Sequence, residues 1–388
     1  MYYIKQDMIR RNVSLTLNDT YKFDELPETG KSAGLLLVLK SPTNSGQHLD
    51  YTNYGDKLRF ADWFDKVQVV TDGKRPLKDL NGILAQALEY WNTGLVAKDR
   101  FIERSIGADT CYIPISWGRF LGDTEYYLNW EDYSSIELDL KNTLTSPPYA
   151  SATLDMINYK IEGEGAIPAT KGVFQERIWR EYTTVADETK YFKPPIGNKY
   201  RRIILQATPA MTTSHVYHRK RSFYYLMNEV TLGFKERAEL FFDAYGLELL
   251  EKNVQEFPQL PHTFGQSLGC RTTQPGTIIN TGIGRRQGQM ATPMEITTDI
   301  VDNHVGIYPY SEDIMNVLDD VATNNYMNWE AWGAGYMNTL ALLFDRFGIE
   351  NIMDSAEKSP ITLDIKTENN ANSAGGTNKI ILSELVSR

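Results

Sequence analysis

Short segments in which apolar and polar residues alternate recur along the chain and predict β-strands. In the first segment, Val13, Leu15 and Leu17 alternate with polar neighbours. A strand turns successive side chains to opposite faces, so this period of two indicates one buried and one wet face. Continuous apolar runs at 35–39 and 203–205 predict more deeply buried strands. The same alternation occurs at 111–117, 136–141 and 361–366, and turn signals occur at Asn44-Ser45-Gly46, Asp72-Gly73, Pro147-Pro148, Pro194-Pro195 and Gly375-Gly376.

Three segments show the period of a helix instead. Residues 79–91 carry one apolar stripe, and Asp79 is the predicted N-cap. A second helix is predicted within 247–257, and a third at 311–322, where acids follow Ser311 in the first turn. Residues 1–11 group their apolar side chains loosely, which is consistent with a short helix or with a frayed end. Few helices among many short strands predict an all-β sandwich or barrel.

The best candidate for a domain boundary is residues 162–172, which contain three Gly, one Pro and no apolar period. This linker leaves two parts that are each of ordinary domain size. We therefore predict an N-terminal arm at 1–12, a first domain at 13–161 and a second domain at 173–388. The second part is longer because of an insertion around 257–310.

Similar anchors occur in both parts in the same order, which predicts an internal duplication. Pro27 and Gly30 precede the apolar strand of the first part, and Pro194 and Gly197 precede that of the second. The other paired anchors are the helices 79–91 and 311–322, the strands that run into Arg-Phe at 111–120 and 339–347, the matching six-residue strands 136–141 and 361–366, and the last strands 154–161 and 380–386. The alternative is two unrelated β-rich domains that share generic strand chemistry.

Composition and charge narrow the function. The 388 residues are 41% hydrophobic and 12% aromatic, so the chain folds rather than staying disordered. The net charge of −10 argues against a wholesale nucleic-acid binder. The longest apolar run, 33–39, is far shorter than the roughly 20 residues of a membrane-spanning helix. Residues 1–13 lack the apolar stretch of a signal peptide, which favours synthesis in the cytoplasm without secretion.

No pattern of catalytic or ligand-binding residues stands out. Two cysteines, Cys111 and Cys270, support neither a disulfide framework nor a four-thiolate zinc site and are predicted to be reduced thiols. Five histidines are present, and His215 and His218 are the one close pair, without an evident third zinc ligand. The Gly-rich segment 282–288 lacks the helix that a dinucleotide loop requires. We therefore predict no catalytic residue, no cofactor and no metal site.

Basic residues gather at three places in this acidic chain. They are Arg201-Arg202, His218-Arg219-Lys220-Arg221 and Arg285-Arg286. One interpretation is a local surface that faces nucleic acid, anionic lipid or a neighbouring subunit. The other is a solvated strand end or loop.

One segment suggests a family. It is Cys111-Tyr-Ile-Pro-Ile-Ser-Trp-Gly-Arg-Phe-Leu-Gly-Asp123, followed by Tyr126-Tyr-Leu128 and by the strand at 136–140. It resembles the end of the first barrel in the double jelly-roll major capsid proteins of the tectivirus and adenovirus-hexon lineage. Residues 194–206 resemble an early strand of the second barrel. The resemblance is one of layout over nearly the whole chain.

This resemblance implies two tandem eight-stranded jelly rolls with a few short helices, and a structural rather than an enzymatic role. It implies homotrimers that act as pseudo-hexameric capsomers and tile an icosahedral shell, so that the chain is located in the virion capsid. The implied partners are other copies of the chain and minor capsid or vertex proteins, with no small-molecule substrate. The N-terminal arm at 1–12 is implied to lie at the inner face, near a membrane or genome.

Two other functions fit the same composition. A carbohydrate-binding protein or glycoside-active enzyme on a β-sandwich also uses many Tyr and Trp, which would line one groove with convergent carboxylates. A different virion protein, such as a spike or vertex component, would form a different symmetry. The shape and stoichiometry of the purified particles discriminate among these functions.

Overall fold

The computed structural model describes residues 2–24, 26–41, 60–93, 109–146, 149, 151–208, 226–234, 339–345, 352–369 and 374–386, and the backbone alone of six strands between 238 and 334. The described chain divides into two compact units. The first contains the residues up to Ile178 and those from Leu382 onward, and the second contains Trp179–Ile381. Within the described residues, no helix is long and apolar enough to cross a membrane.

Antiparallel strands build two sheets in the first unit. The strands are β1 Tyr2–Leu15, β2 Thr20–Phe23, β3 Lys31–Ser41, β4 Phe64–Thr71, β5 Arg75–Leu80, β6 Asp109–Ser116, β7 Leu128–Asn129, β8 Ile136–Asn142 and β9 Ala152–Gly163. One sheet has the order β1-β9-β3-β6, with β7 on β3, and the other begins β2-β8-β4-β5. A 3-10 turn at Phe60–Trp63 precedes β4, and helix α1, Gly82–Thr93, follows β5. A second 3-10 turn, Trp130–Asp132, follows β7.

Further strands follow in the rest of the chain. They are β10 Val173–Thr183, β11 Thr189–Phe192, β12 Lys199–Thr208, β13 Glu229–Gly233, β14 Ala238–Asp243, β15 Thr263–Thr273, β16 Glu295–Asp299, β17 His304–Tyr308, β18 Val317–Leu318, β19 Asn324–Ala334, β20 Thr339–Leu343, β21 Met353–Asp354, β22 Thr362–Lys366 and β23 Thr377–Val386. Their orders are β10-β23-β12-β20, with β21 on β12, then β11-β22-β13-β14, β15-β19 and β16-β17-β18. A short helix, α2, spans Ser355–Lys358.

The sheet orders confirm the predicted duplication. The order β1-β9-β3-β6 is repeated by β10-β23-β12-β20, and β2-β8-β4-β5 is repeated by β11-β22-β13-β14. Even the two-residue strands β7 and β21 occupy the same place, at the start of β3 and of β12. Since generic strand chemistry does not dictate pairing order, two unrelated β-rich domains do not explain this agreement.

Matching backbone conformations support the same conclusion. Gly30 and Gly197, the paired glycines of the sequence analysis, have φ of 96° and 102° just before β3 and β12. Asn18 and Asp187 have φ of 54° and 58° before β2 and β11. Left-handed backbone of this kind is costly for most side chains, so its recurrence at matching positions marks equivalent turns.

The core of the first unit is built on β3. Leu35, Leu37 and Leu39 share one face of the strand and are completely buried, and β9 and β6 pair with its two edges. Trp117 is also buried, and its indole Nε1 donates a hydrogen bond to Ser32 Oγ over 2.9 Å. A buried indole needs such a partner for its N–H group. The continuous apolar run at 35–39 therefore predicted the burial of this strand correctly.

Of the three predicted helices, one is confirmed, one is wrong and one lies outside the described residues. Helix α1 confirms the helix predicted at 79–91, but Asp79 as its N-cap is wrong, because Asp79 lies in β5. The cap is Asn81, whose Oδ1 accepts a hydrogen bond from Leu84 N over 2.8 Å. In the segment 311–322, Val317–Leu318 forms strand β18, so a continuous helix there is wrong. The helix predicted within 247–257 lies outside the described residues.

Strand β1 includes most of the residues predicted as an N-terminal arm. The short helix considered for 1–11 is wrong, because Tyr2–Leu15 pairs with β9 from Tyr2 opposite Gly163 to Leu15 opposite Ala152. Pairing with β9 thus determines the secondary structure of a segment whose apolar residues show only a weak period. Within the predicted linker 162–172, Glu162 and Gly163 end β9, and the remaining residues lead into β10. The domain bounds 13–161 and 173–388 stay a prediction.

The second repeat carries a long connection where the first has helix α1. Between β14 and β20 lie the five strands β15 to β19, in sheets of two and three strands. The predicted insertion at 257–310 contains three of these strands, β15, β16 and β17. β15 pairs with β19, from Thr263 opposite Ala334 to Thr273 opposite Asn324. β15 thus pairs with a strand that lies beyond residue 310, and the bounds 257–310 of the insertion stay a prediction.

Candidate functional site

The first strand is an exposed sheet edge. In the order β1-β9-β3-β6, β1 stands at the end, and no described strand pairs with its outer side. Three large apolar side chains of β1 are exposed: Tyr2 by 42%, Tyr3 by 55% and Met8 by 48%. A long edge strand with exposed apolar residues is a template for pairing with another chain. This edge is therefore the leading candidate for a functional surface.

Side-chain contacts hold this edge in place against the neighbouring strand. Tyr2 Oη donates to the carbonyl oxygen of Ala166 over 2.8 Å, and Tyr3 Oη donates to Glu162 Oε2 over 3.1 Å. Lys160 Nζ lies 3.0 Å from Glu162 Oε1, and this contact lowers the pKa of the Glu162 carboxyl. Farther along, Asn12 N donates to Asp155 Oδ1 over 2.6 Å. These contacts order the strand within the single chain, and an ordered strand loses less entropy when it binds another molecule.

A buried ion pair joins β5 to β10. Lys78 Nζ lies 2.6 Å from Glu176 Oε2, and both side chains are almost fully buried. Ser383 Oγ donates to the other carboxylate oxygen of Glu176 over 3.1 Å, and the Lys78 ammonium lies 5.9 Å from the centre of the Trp117 ring. The two strands run parallel, with Lys78 opposite Glu176. All these residues belong to the first unit, so the start of β10 and the end of β23 complete it.

One predicted basic cluster is structural. Arg201 and Arg202 are buried, and both guanidinium groups contact Asp345, at 2.6 Å and 3.2 Å. Burial alone raises the pKa of the Asp345 carboxyl, but the two arginines outweigh it and lower that pKa. The interpretation of Arg201-Arg202 as a surface for nucleic acid or lipid is therefore wrong, and so is that of a solvated strand end. The clusters 218–221 and 285–286 lie outside the described residues.

The segment that suggested the capsid family begins in strand β6 and continues, after Ser116, as a loop held by hydrogen bonds. Asp123 is buried and accepts hydrogen bonds from Arg119 Nε over 2.8 Å, from the Arg119 backbone N over 2.9 Å and from Glu125 N over 3.0 Å. Burial alone raises the pKa of the Asp123 carboxyl, and these hydrogen bonds reverse the shift and lower it. Because these donors belong to the same loop, the Asp123 carboxylate has a structural role.

The remaining candidate residues do not form a site in the described part of the chain. Cys111 is a buried thiol outside any disulfide, and Gln86 Nε2 donates to its Sγ over 3.4 Å. Cys270 and His304 lie in β15 and β17, whose side chains are not described. His48, His215, His218, His262 and the segment 282–288 lie outside the described residues. Among the described side chains, no group of three His, Cys, Asp or Glu could hold a metal ion.

Solved capsid structures resemble this chain over nearly its whole length. The crystal structure of the STIV MCP matches with a TM-score of 0.56 and 11% identity, covering 99% of this chain and 97% of that one. The atomic structure of Sulfolobus Turreted Icosahedral Virus matches with a TM-score of 0.52 and 10% identity, covering 98% and 90%. PBCV-1 VP54, fitted into a cryo-EM reconstruction of the virophage Sputnik, matches with a TM-score of 0.50 and 8% identity, covering 100% and 95%.

These comparisons and the repeated sheet order agree. The chain has a double jelly-roll fold. The expected all-β class with two tandem jelly rolls is confirmed, whereas eight strands in each roll stays a prediction. No protein-family model and no curated protein matches the sequence, so the likeness is one of structure.

One signal of the double jelly roll escaped the sequence analysis. Gln6-Asp-Met-Ile-Arg-Arg11 in β1 matches Gln175-Glu-Arg-Ile-Trp-Arg180 in β10, with Gln, an acid, Ile and Arg at the same four positions. The match lies within residues 1–12, the predicted arm, outside the anchors that predicted the duplication. The match agrees with the sheet orders, in which β1 and β10 hold equivalent places.

Proposed function

We propose that this chain is the major capsid protein of an icosahedral virus, as the resemblance implied. The observation that carries the proposal is the duplicated sheet order, supported by a structural match that covers 97% of the STIV MCP. Two similar rolls in one chain let three chains present six similar blocks around a threefold axis. Such a pseudo-hexagonal trimer packs into a continuous shell through its outer edges.

The proposed role is structural rather than enzymatic. The most deeply buried charged side chains in the described part of the chain are used within the fold, as shown by Lys78 with Glu176 and by Asp345 with its two arginines. Lys78 and Glu176 neutralise each other, and both arginines are engaged by Asp345 within the fold. The net charge of −10 keeps the capsomers soluble before they assemble.

The proposed partners are other copies of the chain, both within a trimer and between trimers. Minor capsid or vertex proteins would contact the outer edges of the trimer. The proposed location is the virion capsid, with synthesis in the host cytoplasm. The expected contact with an internal membrane or genome through 1–12 has to be made by strand β1, since these residues pair with β9.

Electron microscopy of the purified full-length protein tests the proposal. We expect particles of hexagonal outline with the mass of three chains by light scattering, and shells or flat arrays at high concentration. A monodisperse monomer at all concentrations would contradict it. A glycan array and a glycosidase assay on the same preparation test the sugar-binding and glycoside-active alternatives, and we expect both to be negative.

A further inference from the structure

The two equivalent first strands differ in their surroundings. Val173–Glu176, at the start of β10, is buried, whereas the matching residues of β1, from Ile4 to Asp7, are half-buried or exposed. The cause is the number of neighbours. β10 lies between β5 and β23, whereas β1 pairs with β9 on one side, and no described strand covers the other.

The free half of β1 is also the regular half. From Tyr2 to Met8 each residue pairs in turn with β9, and the register shifts come later, between Met8 and Arg10 and between Arg10 and Val13. Bulges of that kind discourage pairing along a sheet edge. By the Gln6–Arg11 match with β10, Asp7 and Met8 correspond to Glu176 and Arg177, the two residues of β10 that pair with β5.

A strand equivalent to β5 is also at an edge. β14 is the last strand in the order β11-β22-β13-β14, and no described strand pairs with its outer side. The two hairpins give the register. In the first repeat, Gln68 of β4 lies between Asp139 of β8 and Asp79 of β5. In the second repeat, Thr231 of β13 lies between Asp364 of β22 and Leu240 of β14. Asp139 and Asp364 are equivalent in the matching strands 136–141 and 361–366. Leu240 therefore corresponds to Asp79, and Glu239 corresponds to Lys78.

We propose that β14 of one copy pairs in parallel with the free edge of β1 of a second copy, with Leu240 opposite Met8. This contact repeats, between copies, the pairing of β5 with β10 within the chain. Because it is head-to-tail, three copies close it into a ring in which every first strand of a roll has a neighbour on both sides. The proposal rests on the proposed capsid function and names the contact that builds its trimer.

The pairing explains the apolar surface of β1. Tyr2, Tyr3 and Met8 account for three of the eight large hydrophobic side chains that are exposed in the described residues. Covering such an edge with a strand removes apolar area from water and satisfies the outward backbone groups at once. In the proposed contact, Met8 and Leu240 take the places of the charged pair Arg177 and Asp79. An apolar pair suits a contact between separate copies, because non-covalent interactions alone hold them together.

A designed disulfide tests the register. Directly opposite residues of neighbouring strands have Cα atoms about 4.8 Å apart, within the range that a disulfide spans. We expect the double variant M8C/L240C, after oxidation, to run as covalent dimers and trimers on a non-reducing gel. The single variants M8C and L240C control for Cys111 and Cys270 and should stay monomeric. In D7C/L240C the cysteines are out of register by one residue, and successive residues of a strand alternate between faces, so no ladder should form.

The outcomes separate this proposal from the capsid function. Trimers and shells that form normally but show no M8C/L240C cross-link would overturn the β1–β14 contact and leave the capsid function standing. A wild-type protein that never trimerises would overturn the capsid function itself. If the cysteine variant fails to fold, hydrogen exchange on wild-type protein decides. Residues 2–8 should exchange more slowly in trimers than in dilute monomers, and equal rates would contradict the contact.

Charge at the adjacent position gives a second test. The same register places Glu239 opposite Asp7, where the chain's own contact has Lys78 opposite Glu176. Two acids repel and an acid–base pair attracts. We therefore expect E239K to trimerise at a protein concentration several-fold lower than wild type, and E229K, on the neighbouring strand β13, to leave that concentration unchanged. An unchanged midpoint in E239K would contradict the register.

Discussion

Lys78 and Glu176 form an ion pair in the interior of the first unit, with Nζ and Oε2 2.6 Å apart and side chains that are 1% and 5% exposed. The pair fixes β5 against β10, and Ser383 of the last strand completes it with a hydrogen bond. Residues 78, 176 and 383 thus belong to one network although they are far apart in sequence. A buried charge pair of this kind fixes a register more than it adds stability.

Breaking this pair on one side should destabilise the first unit. K78M leaves the Glu176 carboxylate buried without its counter-charge, which costs about 3–5 kcal/mol. We expect a clear fall in the thermal unfolding midpoint, measured by calorimetry. The double variant K78M/E176L removes both charges and should recover most of the loss. K5M, which removes the exposed contact of Lys5 with Glu162 at 3.7 Å, should change stability by less than about 1 kcal/mol.

Asp345 should make the second unit sensitive to acid. Its pKa in the folded protein is lower than the ordinary value of 3.8, so its contribution is complete above that value and is lost as the pH falls through the lowered pKa. We expect D345N to lower the unfolding midpoint at pH 7. The difference between wild type and D345N should shrink below about pH 4. A difference that stays constant from pH 7 to pH 2 would contradict the assignment.

Gly118 should tolerate no side chain. A Cβ at this position would overlap the carbonyl oxygen of Tyr126 and come within 2.6 Å of Asp123 Cβ. We expect G118A to cost about 1–3 kcal/mol, because backbone has to move. G73N is the matched control, since Gly73 has φ of 66° with open space around it, and Asn accepts left-handed backbone. Thermal midpoints of the two variants, compared with wild type, check the prediction.

The N-cap of α1 should contribute measurable stability. Replacing Asn81 with Ala removes the acceptor for Leu84 N, and such a loss costs about 1 kcal/mol. N81D keeps an acceptor and should lie close to wild type. Unfolding in urea, followed by far-ultraviolet circular dichroism, measures both variants. Equal stability of N81A and wild type would show that the cap contributes nothing.

The sequence by itself determined the strands in which a few consecutive residues already show a clear apolar pattern. The alternation at 136–141, the apolar run at 35–39 and the paired anchors around Gly30 and Gly197 all predicted local structure that the fold confirms. They succeed because side-chain alternation and left-handed backbone are properties of a few consecutive residues. The resemblance to double jelly-roll proteins followed from the order of such segments.

The tertiary structure decided everything that depends on a distant partner. Residues 2–15 became a strand because β9 pairs with them, and Arg201 is buried because Asp345, 144 residues later, neutralises it. The choice of Asn81 over Asp79 as the helix cap depended on β5 extending to Leu80. Sequence carries no distances between segments, and the free energies of pairing, burial and charge neutralisation depend on those distances.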